Sequence, residues 1–119
     1  MGLTFVDLEI ANPADPKRRV PVRLLVDSGA SFSVVQASLL RRLGVRPHSK
    51  RSFILANGEK IERQLGDLVY HYQGQQGASP VIFGKRGDSD LLGTVTLESL
   101  GLILDPIRRE LKPLPMMLA

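Results

Sequence analysis

Asp27 closes an apolar run, Leu24-Leu25-Val26, and is followed at once by Ser28-Gly29-Ala30. A carboxylate is seldom driven into an apolar strand unless something pairs with it or uses it. Used, it can act as the base that activates a water, or as the acid that protonates the carbonyl oxygen under attack. Two carboxyls about 3 Å apart cannot both ionise, so they share one proton and perform both tasks together. The chain carries a single Asp-Ser-Gly, so the second carboxyl would come from another copy across a two-fold axis. Gly29 would let the backbone turn sharply beside the carboxylate and offer it an N–H. The plainer alternative is that Asp-Ser-Gly is simply good turn chemistry.

Other chemistries find less support. The absence of cysteine removes disulfides, thiolate metal sites and Cys nucleophiles. Ser28 and Ser31 lack the Gly-x-Ser-x-Gly setting of a serine nucleophile. His48 and His71 stand far apart with no companion ligand spacing, so no metal or other cofactor is expected. His71, between Tyr70 and Tyr72, reads as a residue exposed on one face of a strand. Gly87-Asp88-Ser89-Asp90 lacks the remaining ligands of a calcium loop and reads as a solvated turn. The net charge of +4 is carried by pairs such as Arg41-Arg42, Lys50-Arg51 and Lys85-Arg86, spread along the chain. With only four Phe and two Tyr for stacking, this pattern does not predict a nucleic-acid partner.

The elements that must position Asp27 follow from the periodicity. Over 119 residues, 43% of them apolar, one domain with a real core is expected. Turn signals recur about every ten residues between short β-rich runs, the spacing of a small all-β barrel or sandwich. Thr4–Ile10 and Val20–Val26 alternate as two strands of a hairpin around the turn Asn12–Pro16. The pattern predicts a short helix over Val34–Leu43, ended by Gly44. Ser52–Leu55 and Glu59–Leu65 form a hairpin about Ala56-Asn57-Gly58. Two further strands, Asp67–Tyr72 and Ser79–Phe83, are joined by a polar loop over Gln73–Gly77. A second helix is predicted over Thr94–Leu100, closed by Gly101, with strands at Leu102–Leu104 and Glu110–Leu114 after it. A faint two-fold echo runs through this order, since apolar strand, break, short helix and Leu-Gly occur at Leu24–Gly44 and again at Leu91–Gly101.

Asp27-Ser28-Gly29-Ala30 after its apolar run, the Ala56-Asn57-Gly58 hairpin and the later Leu91-Leu92-Gly93 resemble the retropepsin-like group of aspartic peptidases. The elements occur in that group's order over most of the chain. The resemblance implies an all-β fold: a small closed β-barrel-like retropepsin (acid protease) fold with one or two short helices. It implies that residues 1–119 form a single domain, one half of a homodimeric enzyme. Asp27 would be catalytic, and Ser28 would reach across the dimer to lock the two active-site loops together. Ala30 would leave room for a substrate backbone. Ala56, Asn57 and Gly58 would form the flap that closes over a peptide, while Leu91, Leu92 and Gly93 pack beneath the catalytic loop. Thr94-Val95 stands where viral members carry Arg followed by Asp or Asn, so their charged dimer clamp is missing. The C-terminal stretch Arg108–Ala119 would supply an interfacial strand.

The function expected is that of an aspartic endopeptidase acting on a peptide or protein substrate. The alternative is a non-enzymatic dimeric peptide-binding module that retains the fold. The start, MGLTFVDLEI, reads as a strand rather than a signal peptide, and no run is long enough to span a membrane, so a cytoplasmic protein free of membrane is expected.

Overall fold

The computed structural model describes residues 3–115 and residue 118. Strand β1 (Phe5–Ala11) turns Asp7 and Glu9 outward and Leu8 and Ile10 into the core, the alternation a half-buried strand requires. It pairs antiparallel with β2 (Val20–Val26). In β2 the alternation divides the apolar run: Leu24 and Val26 enter the core, while the half-buried Leu25 faces the other way.

The remaining elements are β3 (Ser33–Gln36), α1 (Ala37–Arg42), β4 (Ser49–Ile54), β5 (Lys60–Tyr72), β6 (Gln75–Gly84), β7 (Leu91–Leu92), α2 (Thr94–Ser99), β8 (Leu102–Asp105) and β9 (Glu110–Pro113). One sheet runs β1-β2-β7-β3-β6-β5-β4, and a further pairing of β1 with β5 closes it into a ring. Strand β4 stays outside that ring, attached only to β5. β8 and β9 form a separate two-stranded sheet. The expected all-β closed barrel with two short helices is therefore the observed fold. Its main core gathers residues from nearly every element, with Ile10, Leu24, Val35, Leu40, Leu68, Tyr70 and Val81 fully buried. A smaller cluster of Val34, Leu65 and Ile82, backed by Phe32, Phe53 and Leu91, lies apart from it. No helix among the described residues is long and apolar enough to cross a membrane.

At the level of the fold, four expectations need correction. The helix expected over Val34–Leu43 is half strand: Ser33–Gln36 pairs with both β6 and β7, and helix begins only at Ala37. The separate strands Glu59–Leu65 and Asp67–Tyr72 are one strand, β5, running through Gly66. A Cβ at Gly66 would lie 2.9 Å from the Phe83 ring, so this glycine serves close packing and not a turn. The loop over Gln73–Gly77 shrinks to Gln73 and Gly74, both at positive φ, because Gln75–Gly77 continue the pairing with β5. Finally, His71 is buried, at 8% exposure. It sits on the closing seam, flanked by Glu9 of β1 and Gln76 of β6. The part of the C-terminal expectation that falls on Met116, Met117 and Ala119 lies outside the described residues, as do Met1 and Gly2.

The Nε2 atom of His71 is buried without a hydrogen-bond partner. Burial pushes its pKa down, nearby Arg19 acts in the same direction, and Glu9 opposes them. The unfolded chain therefore takes up a proton near the ordinary value of about 6.5 while the folded chain resists it. More protons on the unfolded state means that stability falls as pH drops below that value, until the folded imidazole itself titrates. Denaturation midpoints measured at pH 7.5 and pH 5 should thus fall more for the wild type than for His71→Gln. Equal falls would remove His71 from the account.

Candidate active site

Asp27 follows the last residue of β2, and three backbone bonds fix that end of the strand. Leu25 N–H donates to Asp90 O at 3.1 Å, Val26 N–H to Thr4 O at 2.8 Å, and Asp27 N–H to Leu92 O at 3.1 Å. Strand β7 thus runs parallel beside the end of β2, with Leu25 opposite Leu91 and Val26 opposite Leu92. The chain then turns, Ala30 N–H donating to Asp27 O at 3.1 Å. Gly29 N–H donates to Asp27 Oδ1 at 2.9 Å, so the carboxylate is aimed by its own turn. Asp27 and Ala30 are half-buried, whereas Ser28 and Gly29 stand exposed.

The segment after the turn is held from behind. Thr94 N–H donates to Ala30 O at 2.9 Å and Val95 N–H to Ser31 O at 3.0 Å. These first N–H groups of α2 have no partner within the helix, and the loop carbonyls satisfy them. Gly93 is buried hard against the loop: a Cβ there would lie 2.6 Å from the Phe32 carbonyl carbon and 2.8 Å from Ser31 O. No side chain fits against backbone at that distance, which accounts for glycine after Leu91-Leu92. Leu91 faces the cleft described below while Leu92 is buried in the core.

A chain of buried hydroxyls reinforces the same place. Gly93 N–H donates to Ser33 Oγ at 3.0 Å, Ser33 Oγ bonds Thr96 Oγ1 at 2.6 Å, and Thr96 Oγ1 bonds Ser79 Oγ at 2.8 Å. Burial pushes the neighbouring Tyr70 hydroxyl up to about 12, the hydroxyls of Thr96, Ser33 and Ser79 acting the other way. Tyr70 stays neutral and donates to Pro80 O at 3.3 Å. Sequence reasoning missed these residues. The only signal was polar types inside buried runs, at Ser33 before Val34-Val35 and at Ser79 before Pro80.

Opposite the turn, β4 and β5 form the expected hairpin about Ala56-Asn57-Gly58. Leu55 N–H donates to Glu59 O at 2.8 Å, and Gly58, at φ +84°, donates to Leu55 O at 2.9 Å. Asn57 Oδ1 accepts from Glu59 N–H at 2.9 Å, so its side chain serves the turn. Between the Asp27 turn and this hairpin lies an open cleft of about 1050 Å³. Asp27, Gly29, Ala30, Leu91 and Ala56 line it, whereas Asn57 and Gly58 form the tip beyond its wall. Apolar side chains of the smaller cluster give much of the remaining surface, including Phe32 and Phe53, packed edge-to-face at 6.5 Å.

The turn over Gly87–Asp90, expected to be merely solvated, instead ties the two sides of the cleft together. Arg63 of β5 grips Asp88 with two bonds, Nε to Oδ2 at 2.8 Å and Nη2 to Oδ1 at 2.9 Å. Lys85 N–H donates to the same Oδ2 at 2.8 Å. The Arg63 bond, with the Lys85 N–H behind it, holds the Asp88 carboxyl below the usual range, against burial. Gln36 N–H donates to Asp90 Oδ1 at 3.1 Å. Burial pushes Asp90 up, and the bonds from Gln36 counter it. Among the described residues, no three of His, Asp and Glu gather into a cluster that could hold a metal ion.

A family model described as Aspartyl protease matches residues 6–70. Among solved structures, the solution structure of the protease of Simian Foamy Virus (mac) is similar. It shares 19% identity, covers 78% of this chain and 92% of its own, and superposes with a TM-score of 0.53. A crystal structure of a retropepsin-like aspartic protease from Rickettsia conorii shares 20% identity over 88% of this chain and 89% of its own, with a TM-score of 0.47. No curated protein matches.

Proposed function

The chain belongs to the aspartyl protease family, and from that membership we propose that it hydrolyses peptide bonds with a water held between two Asp27 carboxyls, one from each subunit of a homodimer. The observation that carries this reading is Asp27 itself, aimed by Gly29 N–H at 2.9 Å and half-exposed on the cleft. One shared proton lets the ionised carboxyl take a proton from water as the oxygen attacks the scissile carbonyl. The protonated carboxyl gives its proton to the carbonyl oxygen. The tetrahedral intermediate then collapses: the carboxyl that took the water proton gives it to the departing amine as the amide C–N bond breaks. The other carboxylate takes a hydroxyl proton of the intermediate, which restores the shared-proton pair. Each chain supplies one half of this machinery.

In this reading Ser28, exposed beside the carboxylate, contacts the partner's loop, and Ala30 leaves room for the substrate backbone. Leu91, Leu92 and Gly93 keep the loop rigid, which the bonds from Asp27 N–H to Leu92 O and from Gly93 N–H to Ser33 Oγ support. The hairpin tip, Ala56 to Gly58, is the lid that closes over substrate and excludes water. A peptide mixture incubated with the protein over a range of pH, with and without a hydroxyl-bearing transition-state inhibitor of aspartic peptidases, tests the proposal. Cleavage that the inhibitor stops is expected. Peptides bound but left intact at every pH would favour the non-catalytic binding module instead.

The lid makes its own prediction. Gly58 adopts φ +84°, and a Cβ placed there would meet nothing within 4 Å, so the cost of Gly58→Val is expected to be mainly backbone strain, about 1–3 kcal/mol. Cleavage should fall roughly tenfold or more, because the displaced tip no longer positions substrate. Thermal denaturation and steady-state rates on the same preparation check this. A rate that falls no further than stability would make the hairpin an ordinary turn.

A further inference from the structure

We propose that Arg51 selects substrates carrying an aspartate or glutamate side chain beside the apolar residues that fill the cleft, an inference that rests on the cleft being the peptide site. Arg51 lies on β4 directly opposite Arg63 of β5, and both line the cleft. Two like charges facing each other across a strand pair are unfavourable. Asp88 neutralises one of them through its two bonds to Arg63. Among the described residues, no carboxylate lies within ion-pair distance of the other.

Arg51 is exposed, yet it is positioned. Its guanidinium carbon lies 5.5 Å from the centre of the Phe32 ring, and Phe32 is in turn packed edge-to-face on Phe53. A guanidinium stacked on an aromatic face keeps its N–H edge free for an acceptor, and its planar fork matches a carboxylate. The cleft thus offers a large apolar surface with one uncompensated cation built into its wall. An acidic side chain on the bound peptide satisfies that cation and relieves its repulsion with Arg63. A basic side chain at the same place adds a third positive charge.

The test uses peptides with an apolar centre in which Glu, Gln or Lys is walked outward through four positions on each side. Binding to Asp27→Asn protein is read by fluorescence anisotropy, so the result does not depend on turnover. At one position or more, Glu should bind roughly fivefold tighter than Gln, the scale of a partly exposed charge-assisted pair, and added salt should shrink the ratio. Arg51→Gln should bring the ratio close to one, Arg51→Lys should keep part of it, and Arg51→Glu should favour Lys. Equal binding of Glu and Gln at every position, a preference that survives Arg51→Gln, or no binding of any peptide would overturn the proposal. If the wild type cleaves none of these peptides while the Glu preference holds, acidic selection stands and proteolysis falls.

Discussion

Asp27→Asn should lower peptide cleavage by about a thousandfold or more, because in the proposed symmetric dimer it would remove both members of the acid–base pair. The same substitution should leave the fold in place. An amide oxygen at the Oδ1 position still accepts the Gly29 N–H bond that spans 2.9 Å in the wild type, and the volume hardly changes. The backbone bonds that anchor the turn, from Asp27 N–H to Leu92 O and from Ala30 N–H to Asp27 O, involve no side chain. Turnover and thermal denaturation measured on one purified sample separate the two effects. Retained cleavage would remove Asp27 from the chemistry, whereas a collapsed fold would show that the carboxylate is structural.

Dilution should have the next largest effect. If one chain holds one carboxyl of the pair, activity belongs to the dimer, and well below the dissociation constant activity per chain should fall about tenfold for each tenfold dilution. Thr94 and Val95 bear on where that regime begins. Their backbone N–H groups are occupied by Ala30 O and Ser31 O within the same chain, and neither side chain carries a charge with which to clamp a partner. The fall is therefore expected to set in at a high protein concentration. Sedimentation and cleavage rate followed over one dilution series check this, and a monomer with full activity per chain would refute the shared site.

The parts of this molecule legible in the sequence are those written locally. The Asp27 turn, the Asn57-Gly58 hairpin and the end of α2 at Gly101 each depend on a few adjacent residues, and each is found where the pattern predicts it. The errors arose where position along the chain says little about neighbours in space. Val34 and Val35 are apolar on consecutive positions because β3 is buried between β6 and β7, and such a short run is easily absorbed into the helical spacing of Leu39, Leu40 and Leu43. Gly66 looks like punctuation until Phe83 is packed against it.

His71 alternates as an outward residue, but the closure of β1 on β5 covers it. The candidate site divides in the same way. Asp27 announces itself, whereas the Arg63–Asp88 grip and the Ser33–Thr96–Ser79 hydroxyls join segments that no local pattern connects.

Mixing wild-type chains with Asp27→Asn chains tests the shared carboxyl pair most directly. At fixed total concentration, with free exchange of subunits, an equal mixture should hold about a quarter of its dimers as wild-type pairs, since association is symmetric. Activity should therefore fall as the square of the wild-type fraction, reaching about a quarter of the pure wild-type rate in that mixture. Activity that falls only in proportion to the wild-type fraction would mean that each chain acts with its own aspartate alone, and would contradict the two-chain site.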